Sequence, residues 1–253
     1  MLEDIAEIAA EAGRIALSRC ATDYKRWEKE PGHPVCEIDL MVDNFLREQL
    51  IALDPEAGWL SEETADESDR IERRRVWVVD PIDGTRDFLR RRPGWCVSVA
   101  LAEDRAIRYG VLAAPARDEI WTAEQGRGAW RNGRPLRPSG RTQFSGSRVP
   151  ADTLPRVDRD LEMVAKPNSI ALRIAMVAAG EADLLATLRW GREWDIAAAA
   201  LIAAEAGATV TGALGQPLTF NSPDALAFGI VATTPAIHEA AVERLRERAM
   251  ALV

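Results

Sequence analysis

The stretch VWVVDPIDGTRDFLRRRP, residues 76–93, carries an apolar run that ends at two aspartates with two residues between them. The apolar run is β-prone and predicts a buried strand. Side chains of a strand alternate between its faces, so Asp80 and Asp83 would point in opposite directions if the strand continued. We therefore expect the chain to leave the sheet at Asp80 and turn through Pro81 and Ile82, which brings both carboxylates together.

The next residues, Gly84 and Thr85, offer backbone N–H groups to the same space. Carboxylates alone would repel a phosphate and each other, whereas a divalent cation between them removes both repulsions. The stretch therefore predicts a phosphate site bridged by metal. A similar motif, D-x-D-G-T, belongs to phosphatases with an aspartate nucleophile. Here Pro81 occupies the nucleophile's position, so water must attack instead.

Three further acids lie where they could complete such a site. Glu62 stands in SEET, Asp195 at a predicted helix start in EWDIAAAALIAAEAG, and Asp39 near another predicted helix start in EIDL. Taken singly, each could be a solvated loop residue or a helix cap. The chain has two histidines and no closely spaced cysteine pair. A metal site must therefore be built from oxygen ligands, which suit Mg²⁺, with Mn²⁺ or Ca²⁺ as competitors.

The composition describes a folded, acidic protein. Of its 253 residues, 47% are hydrophobic and 28% charged, and the net charge is −8. These fractions are typical of globular domains, and an acidic protein lacks the basic field that nucleic-acid binding needs. No apolar run approaches the ~18 residues of a membrane span, and the opening residues lack the pattern of a signal peptide. With three separated cysteines, we expect a cytoplasmic protein with no nucleic-acid partner and no membrane span.

The order of sequence patterns predicts the fold class. Helical periodicity opens the chain, short β-rich runs fill residues 76–131, and helical and strand patterns alternate later. This order predicts an α/β (α+β) fold with two halves stacked in layers. We expect residues 1–140 to form an α+β half that carries the metal motif, and residues 141–253 to form an α/β half that completes the active site. No flexible linker marks the boundary, so the interface should be rigid.

Two separated motifs carry a family resemblance. WVVDPIDGTRDF and WDIAAAALIAAEAG resemble the two signatures of the inositol monophosphatase-like, magnesium-dependent, lithium-sensitive phosphatases. This superfamily includes 3′(2′),5′-bisphosphate nucleotidases and fructose-1,6-bisphosphatases. SEET and EIDLMVDNF match its weaker elements, and the order is the same over nearly the whole chain. The resemblance implies a layered α/β/α/β/α sandwich of the sugar phosphatase type and a homodimer.

The resemblance also implies residue roles. The metal ligands that it implies are Glu62, Asp80, the backbone carbonyl of Ile82, Asp83 and Asp195, around two or three Mg²⁺ ions or Mn²⁺ in their place. Asp39 and Thr85 would be catalytic and polarise the attacking water, while the amides of Gly84 and Thr85 hold phosphate oxygens. The implied reaction is in-line hydrolysis of a small-molecule phosphate ester, in which metal lowers the pKa of the water and stabilises the departing alkoxide. Asp83→Asn should then cost activity by orders of magnitude and leave the fold nearly intact.

Four positions depart from the family pattern or carry two interpretations. Cys36 stands where threonine is usual, so a hydrogen bond near the water-activating acid should be weakened or lost. Leu188 stands where inositol-hydrolysing members carry a glutamate that binds sugar hydroxyls. Arg189 follows, and arginine suits a second phosphate or a carboxylate better than a neutral polyol. Ser169 either lines the substrate pocket or caps a helix.

The sequence leaves the substrate open. An inositol-phosphate phosphatase-like activity, a 3′(2′),5′-bisphosphate nucleotidase and a histidinol-phosphate phosphatase all agree with the motifs. The arginines, Arg189 among them, favour an anionic substrate, unless they are solvated charges that balance the acids. A catalytically silent binding protein with the same fold is the alternative from another class. The presence of both Asp39 and Thr85 argues against it, because a silent protein has no need of a water-activating pair.

Overall fold

A computed structural model describes residues 1–30, 33–64 and 68–253. Its helices are α1 Leu2–Arg19, α2 Glu37–Leu53, α3 Thr85–Leu89, α4 Ile170–Ala178, α5 Ala197–Glu205 and α6 His238–Met250. Its strands are β1 Arg26–Glu30, β2 His33–Cys36, β3 Gly58–Ser61, β4 Arg75–Asp83, β5 Cys96–Glu103, β6 Ala106–Ala114, β7 Glu119–Glu124, β8 Gly128–Arg131, β9 Arg134–Pro135, β10 Arg148–Pro150, β11 Glu162–Val164, β12 Leu184–Arg192, β13 Thr209–Thr211 and β14 Leu226–Thr233.

The main sheet has seven strands in the order β3-β4-β5-β6-β7-β8-β9. Strand β3 runs parallel to β4, and each later pair is antiparallel. Antiparallel neighbours can be joined by two-residue turns in which both φ angles are positive. Asn132 and Gly133 have φ angles of 49° and 72° and join β8 to β9. The turn expected from this dipeptide is confirmed.

Strand β4 is buried on both faces. Trp77 and Val79 pack in the core on the side of α1 and α2, whereas Val76 and Val78 belong to the core on the opposite side. Side chains alternate along a strand, so a strand covered on both faces is apolar at every position. This explains why the four residues before Asp80 form an uninterrupted apolar run.

Helix α5 lies between two sheets. It contacts β6 of the main sheet on one side and β13 of a three-stranded sheet, β12-β14-β13, on the other. A Cβ atom on Gly110 of β6 would lie 2.7 Å from the carbonyl oxygen of Ala198, so small side chains permit this close packing. Helix α6 covers the outer face of the second sheet through Leu245. The layers α1/α2, sheet, α4/α5, sheet and α6 confirm the predicted α/β/α/β/α class.

A single buried cluster connects the two sequence halves. It contains Val78 and Leu112 from the first half together with Ile174, Leu201 and Ile230 from the second. The halves therefore share a core, and the boundary near residue 140 stays a prediction. In the described parts of the chain, none of the helices has the length and apolar character that a membrane crossing would require.

The end of β4 corrects one expectation. The strand does not end at Asp80 but continues to Asp83, and the partners on β5 are Ser98 for Asp80 and Cys96 for Asp83. Three steps along β4 therefore oppose two along β5, which is a β-bulge with one extra residue. The extra residue shifts the alternation of side chains. The bulge, rather than an exit from the sheet, brings both carboxylates to one cleft.

Candidate active site

A cleft of about 440 Å³ opens at the end of β4. The predicted site residues that line it are Glu62, Asp80, Ile82, Asp83, Gly84, Thr85, Arg189 and Asp195. They come from three segments of the sequence, at residue 62, residues 80–85 and residues 189–195. The structure thus brings most of the predicted site together around one opening, while Asp39 and Ser169 lie behind its wall and are fully or almost fully buried.

Local hydrogen bonds fix the turn after β4. The amide of Ile82 donates to Asp80 Oδ1 at 2.9 Å, and Thr85 Oγ1 donates to the Ile82 carbonyl at 3.1 Å. Gly84 has φ 95°, and a Cβ atom there would lie 2.7 Å from the Gly94 carbonyl oxygen. Both facts require glycine at this position. Helix α3 can then start at Thr85 and keep its first amides at the cleft.

Glu62 directly follows β3, which is parallel to β4, so both strands end at the same edge of the sheet. Its amide donates to the Val79 carbonyl at 3.3 Å. The hydroxyls of Ser61 and Thr64, on either side of the two glutamates, both donate to the carboxylate of Asp43 on α2. Sequence analysis missed Asp43. Its spacing of four residues from Asp39, one helical turn, was the pattern that could have indicated it.

Asp195 lies in the turn between β12 and α5 rather than within the helix. Two residues earlier, Glu193 is completely buried and accepts hydrogen bonds from the amides of Asn221 at 2.6 Å and Ser222 at 2.9 Å. Burial raises the pKa of Glu193. Asn221 in turn accepts from Arg70, which is also completely buried. This buried polar network, also missed by sequence analysis, holds the turn that carries Asp195.

Asp83 connects the cleft to helix α4. Its carboxylate accepts from the Ala171 amide at 2.7 Å, the Ile170 amide at 3.3 Å and the hydroxyl of Ser169. Ser169 is completely buried, and its Oγ accepts from the Leu172 amide at 2.9 Å. Ser169 is therefore the N-cap of α4 and supports Asp83 from behind, which replaces the expectation that it contacts substrate.

Asp39 is buried in the first turn of α2. Its Oδ2 accepts from the backbone amide of Cys36 at 2.8 Å and from the Cys36 thiol. Burial and the nearby Asp39 charge raise the pKa of Cys36 to about 12, so the thiol keeps its proton and can donate. The expectation was a weakened or a lost hydrogen bond at this position, and the loss is excluded, because the thiol supplies a donor where a hydroxyl is usual.

The acids of the cleft repel one another. Burial, and then the charges of Glu62, Asp83 and Asp195, hold the pKa of Asp80 well above its usual range. Burial and the Asp83 charge raise the pKa of Asp195 to about 7, although Arg189 opposes the shift. Within residues 1–30, 33–64 and 68–253, no group of three acidic, histidine or cysteine side chains is placed closely enough to hold a metal ion. The donor set is oxygen only, and a divalent cation would relieve its repulsion, so these residues fit Mg²⁺.

Four cationic side chains also line the cleft. They are Arg86, Lys166, Arg173 and Arg189. Lys166 pairs with Asp152, and Arg173 donates to the backbone carbonyls of Ser169 and Asn168. The cleft therefore combines carboxylates, which suit cations, with guanidinium and ammonium groups, which suit anions.

Comparison with known proteins gives one consistent result. The model of the inositol monophosphatase family matches residues 1–250. An inositol-1-monophosphatase of Rhizobium meliloti is 34% identical over 77% of this chain and 78% of its own length. The 3′(2′),5′-bisphosphate nucleotidase CysQ of Aggregatibacter actinomycetemcomitans is 31% identical over 87% of each chain. The crystal structure of the extragenic suppressor protein suhB of Bartonella henselae superposes with a TM-score of 0.83 at 27% identity, over 97% of this chain and 98% of that one.

These similarities cover the whole described fold, both motifs and the cleft between them. The family consists of metal-dependent phosphatases, that is, phosphoric monoester hydrolases. The chain belongs to the inositol monophosphatase family.

Proposed function

We propose that this chain is a Mg²⁺-dependent phosphomonoesterase that hydrolyses a small-molecule phosphate ester by attack of water. One observation carries the proposal. Glu62, Asp80, Asp83 and Asp195 line a single cleft together with the helix start at Thr85. Acids alone would repel a phosphate ester, and a helix start alone would not activate water. Their combination suits a phosphate held beside metal.

The proposed metal ligands are Glu62, Asp80, the Ile82 carbonyl, Asp83 and Asp195, around two or three Mg²⁺ ions, with Mn²⁺ as an alternative. Bound there, the cation supplies positive charge that neutralises the ester and lowers the pKa of water. Asp83 is held by three donors at the N-terminus of α4, namely the Ser169 hydroxyl and the amides of Ile170 and Ala171. The side chain is therefore fixed in position before any ligand arrives, which lowers the cost of organising the site.

Asp39 and Thr85 are proposed to orient the attacking water. The Thr85 hydroxyl donates a hydrogen bond to the Ile82 carbonyl. Its oxygen therefore remains available to accept a hydrogen bond from a water molecule. Asp39 accepts from the Cys36 amide and thiol, which fixes its carboxylate. The water then attacks phosphorus in line with the leaving oxygen, while the amides of Gly84 and Thr85 hold the other phosphate oxygens.

Three classes of phosphate ester are candidate substrates. An inositol-phosphate phosphatase-like activity is supported by the family. A 3′(2′),5′-bisphosphate nucleotidase is the second candidate, because Arg173 and Arg189 line the cleft and suit another anionic group, and one relative carries that name. Histidinol phosphate is a further candidate ester. A silent binding protein is the candidate from another class.

Assembly and location are proposed from the family and the composition. Family members are commonly dimers, which supports a homodimer. An acidic chain with free Cys20, Cys36 and Cys96 fits the reducing cytoplasm. Sedimentation of the purified protein would test the dimer.

A phosphate-release assay tests the proposed reaction. The purified protein should release phosphate from at least one of inositol 1-phosphate, 3′-phosphoadenosine 5′-phosphate, histidinol phosphate and fructose 1,6-bisphosphate when Mg²⁺ is present. EDTA should abolish release, excess Mg²⁺ should restore it, and Li⁺ should inhibit it. Turnover that persists in EDTA would contradict the metal role. Binding of esters without any turnover would support the silent protein.

A further inference from the structure

Arg70 is a completely buried arginine that does not line the catalytic cleft. It lies in a short 3₁₀ helix, Ser68–Glu72, that packs against strand β3. A Cβ atom on Gly58, the first residue of β3, would lie only 2.9 Å from the Cβ atom of Arg70. Arginine is almost never fully buried unless its charge and its donors find partners. The partners of Arg70 therefore indicate what this side chain does.

The guanidinium of Arg70 binds the segment that precedes β14, about 150 positions later in the chain. It donates to Asn221 Oδ1 at 2.5 Å and to the backbone carbonyl of Ser222 at 3.1 Å. Asn221 Nδ2 donates in return to the backbone carbonyl of Arg70 at 3.0 Å. Asn221 and Ala225 have φ angles of 60° and 53°, and such a conformation persists where surrounding contacts hold it. Arg70 supplies part of that support.

Glu193 connects the same segment to the turn that carries Asp195. Besides the carboxylate contacts described above, its backbone amide donates to the carbonyl of Ala225 at 3.0 Å. Its own carbonyl accepts from the amides of Ile196 at 3.1 Å and Ala197 at 2.9 Å. These two bonds close the turn around Asp195, so a displacement of Glu193 also displaces the Asp195 carboxylate.

We propose that Arg70 is a positioning residue that fixes the Asp195 carboxylate relative to Glu62. One end of the network is packed on β3, which Glu62 directly follows, and the other end reaches Asp195 through Asn221 and Glu193. The inference rests on the proposed phosphatase function, in which both acids bind Mg²⁺. Residues that hold metal ligands in place typically change metal affinity by roughly 10–100-fold when they are lost. Arg70 thus joins ligand-bearing segments from the two halves of the sequence.

Binding of Mg²⁺ alone to the full chain, measured by titration calorimetry, tests the proposal. Asn221→Gly removes the side chain that Arg70 binds, and glycine retains the left-handed backbone without strain. The Kd of the Mg²⁺ ion that Asp195 binds should rise about tenfold in this variant, and Asp195→Asn identifies that ion by its loss. Arg70→Met should give a similar rise. At saturating Mg²⁺, the KM for the phosphate ester should stay close to the wild-type value.

A double variant shows whether the effect passes through Asp195. In an Asp195→Asn background, Asn221→Gly should cause no further loss of Mg²⁺ affinity. An equal loss in both backgrounds would mean a general loosening of the fold and would overturn the proposal. Arg148→Met is the matched control, because it breaks the ion pair with buried Asp183, and neither residue lines the cleft. This variant should lower the Tm in EDTA and leave the Mg²⁺ Kd unchanged.

The outcomes separate this inference from the proposed function. If Asn221→Gly and Arg70→Met both bind Mg²⁺ with the wild-type Kd, the positioning role is refuted and the proposed function stands. If the wild-type protein and Asp195→Asn give the same titration and neither releases phosphate, the proposed function fails instead. Ser222→Ala removes only one hydroxyl donor to Glu193 and should raise the Kd by a smaller factor. If neither larger variant folds, an unchanged Kd in Ser222→Ala would refute the positioning role.

Discussion

The backbone amide of Ala171 donates a 2.7 Å hydrogen bond to the carboxylate of Asp83, which lies 88 positions earlier in the chain. This bond joins the proposed metal-binding edge of the main sheet to the first turn of α4. An acceptor with negative charge is favourable at a helix start, where amides lack partners within the helix. Asp83 therefore has two roles, since it lines the cleft and also caps the helix behind it.

Asp83→Asn should lower phosphate release at least about 100-fold and leave the fold nearly intact. The amide keeps the shape of the side chain but loses the charge that the proposed metal needs. Burial raises the pKa of Asp83, so loss of its charge removes no net stabilisation from the metal-free protein. Assays of phosphate release and thermal unfolding check the two effects separately. Asp118→Asn removes an exposed carboxylate that does not line the cleft and should change neither. Wild-type turnover by Asp83→Asn would refute the site.

Mg²⁺ should stabilise the protein against heat. The acids of the cleft repel one another, and a cation bound to the folded state alone shifts the folding equilibrium by mass action. At a free Mg²⁺ concentration of about 100 times the Kd, the free energy of unfolding should increase by about 2.7 kcal/mol. Thermal unfolding measures this increase as a rise in Tm. Asp80→Asn should remove most of the rise. An equal rise in both proteins would place the bound ion elsewhere.

Asp43→Ala should raise the Mg²⁺ concentration that gives half-maximal activity by about tenfold, with a smaller effect at saturating Mg²⁺. Asp43 holds the hydroxyls of Ser61 and Thr64 on both sides of Glu62, so its loss frees the segment that presents this ligand. A Mg²⁺ titration of activity and of Tm measures the change. Glu48→Ala, at an exposed position of the same helix, is the control. An unchanged half-saturation point would show that Asp43 does not position Glu62.

The pH dependence of stability should contain a contribution from Asp183. Although burial opposes the shift, hydrogen bonds from Arg148 and Ser139 hold the pKa of Asp183 below its usual 3.8. A group with a lowered folded pKa stabilises the protein above its ordinary pKa, and this stability is lost as the pH falls through the folded value. The free energy of unfolding should therefore fall below about pH 4.

Asp183→Asn should be less stable than wild type by about 1.5–3 kcal/mol at pH 7, and the difference should shrink as the pH is lowered towards 2. Urea unfolding at a series of pH values measures it. Glu7→Gln, on the exposed face of α1, is the control and should follow the wild-type curve. A difference that stays constant with pH would mean that Asp183 contributes through packing rather than charge.

The parts of the fold that follow from local patterns were predictable. The apolar run before Asp80 and the dipeptide Asn132-Gly133 each determine a structure through their own residues. The bulge that follows Asp80 was not predictable, because it depends on the pairing with Ser98 and Cys96 of the next strand. Register is a property of two strands, and a single segment does not contain it.

The candidate site likewise contains residues that the sequence could predict and residues that it could not. Acids such as Asp83 and Asp195 stand in recognisable motifs, so the sequence indicated them before the cleft was known. Asp43 lies within EIDLMVDNF and Glu193 directly before the second motif, but these patterns assign neither residue a role, and their partners lie 18 to 29 positions away. Supporting residues of this kind act through contacts that exist only after folding. Ser169 illustrates the same point, since its burial decided between two roles that its sequence context left equal.

The position of α5 between two sheets has a consequence for biosynthesis. During translation, all seven strands of the main sheet leave the ribosome before α5 does, so the face that packs against α5 has no cover for that interval. Exposed apolar sheet surface of this kind attracts chaperones and other nascent chains. Asp195, one of the proposed metal ligands, emerges with the same late segment, so under the proposed function the unfinished polypeptide should not cleave phosphate esters.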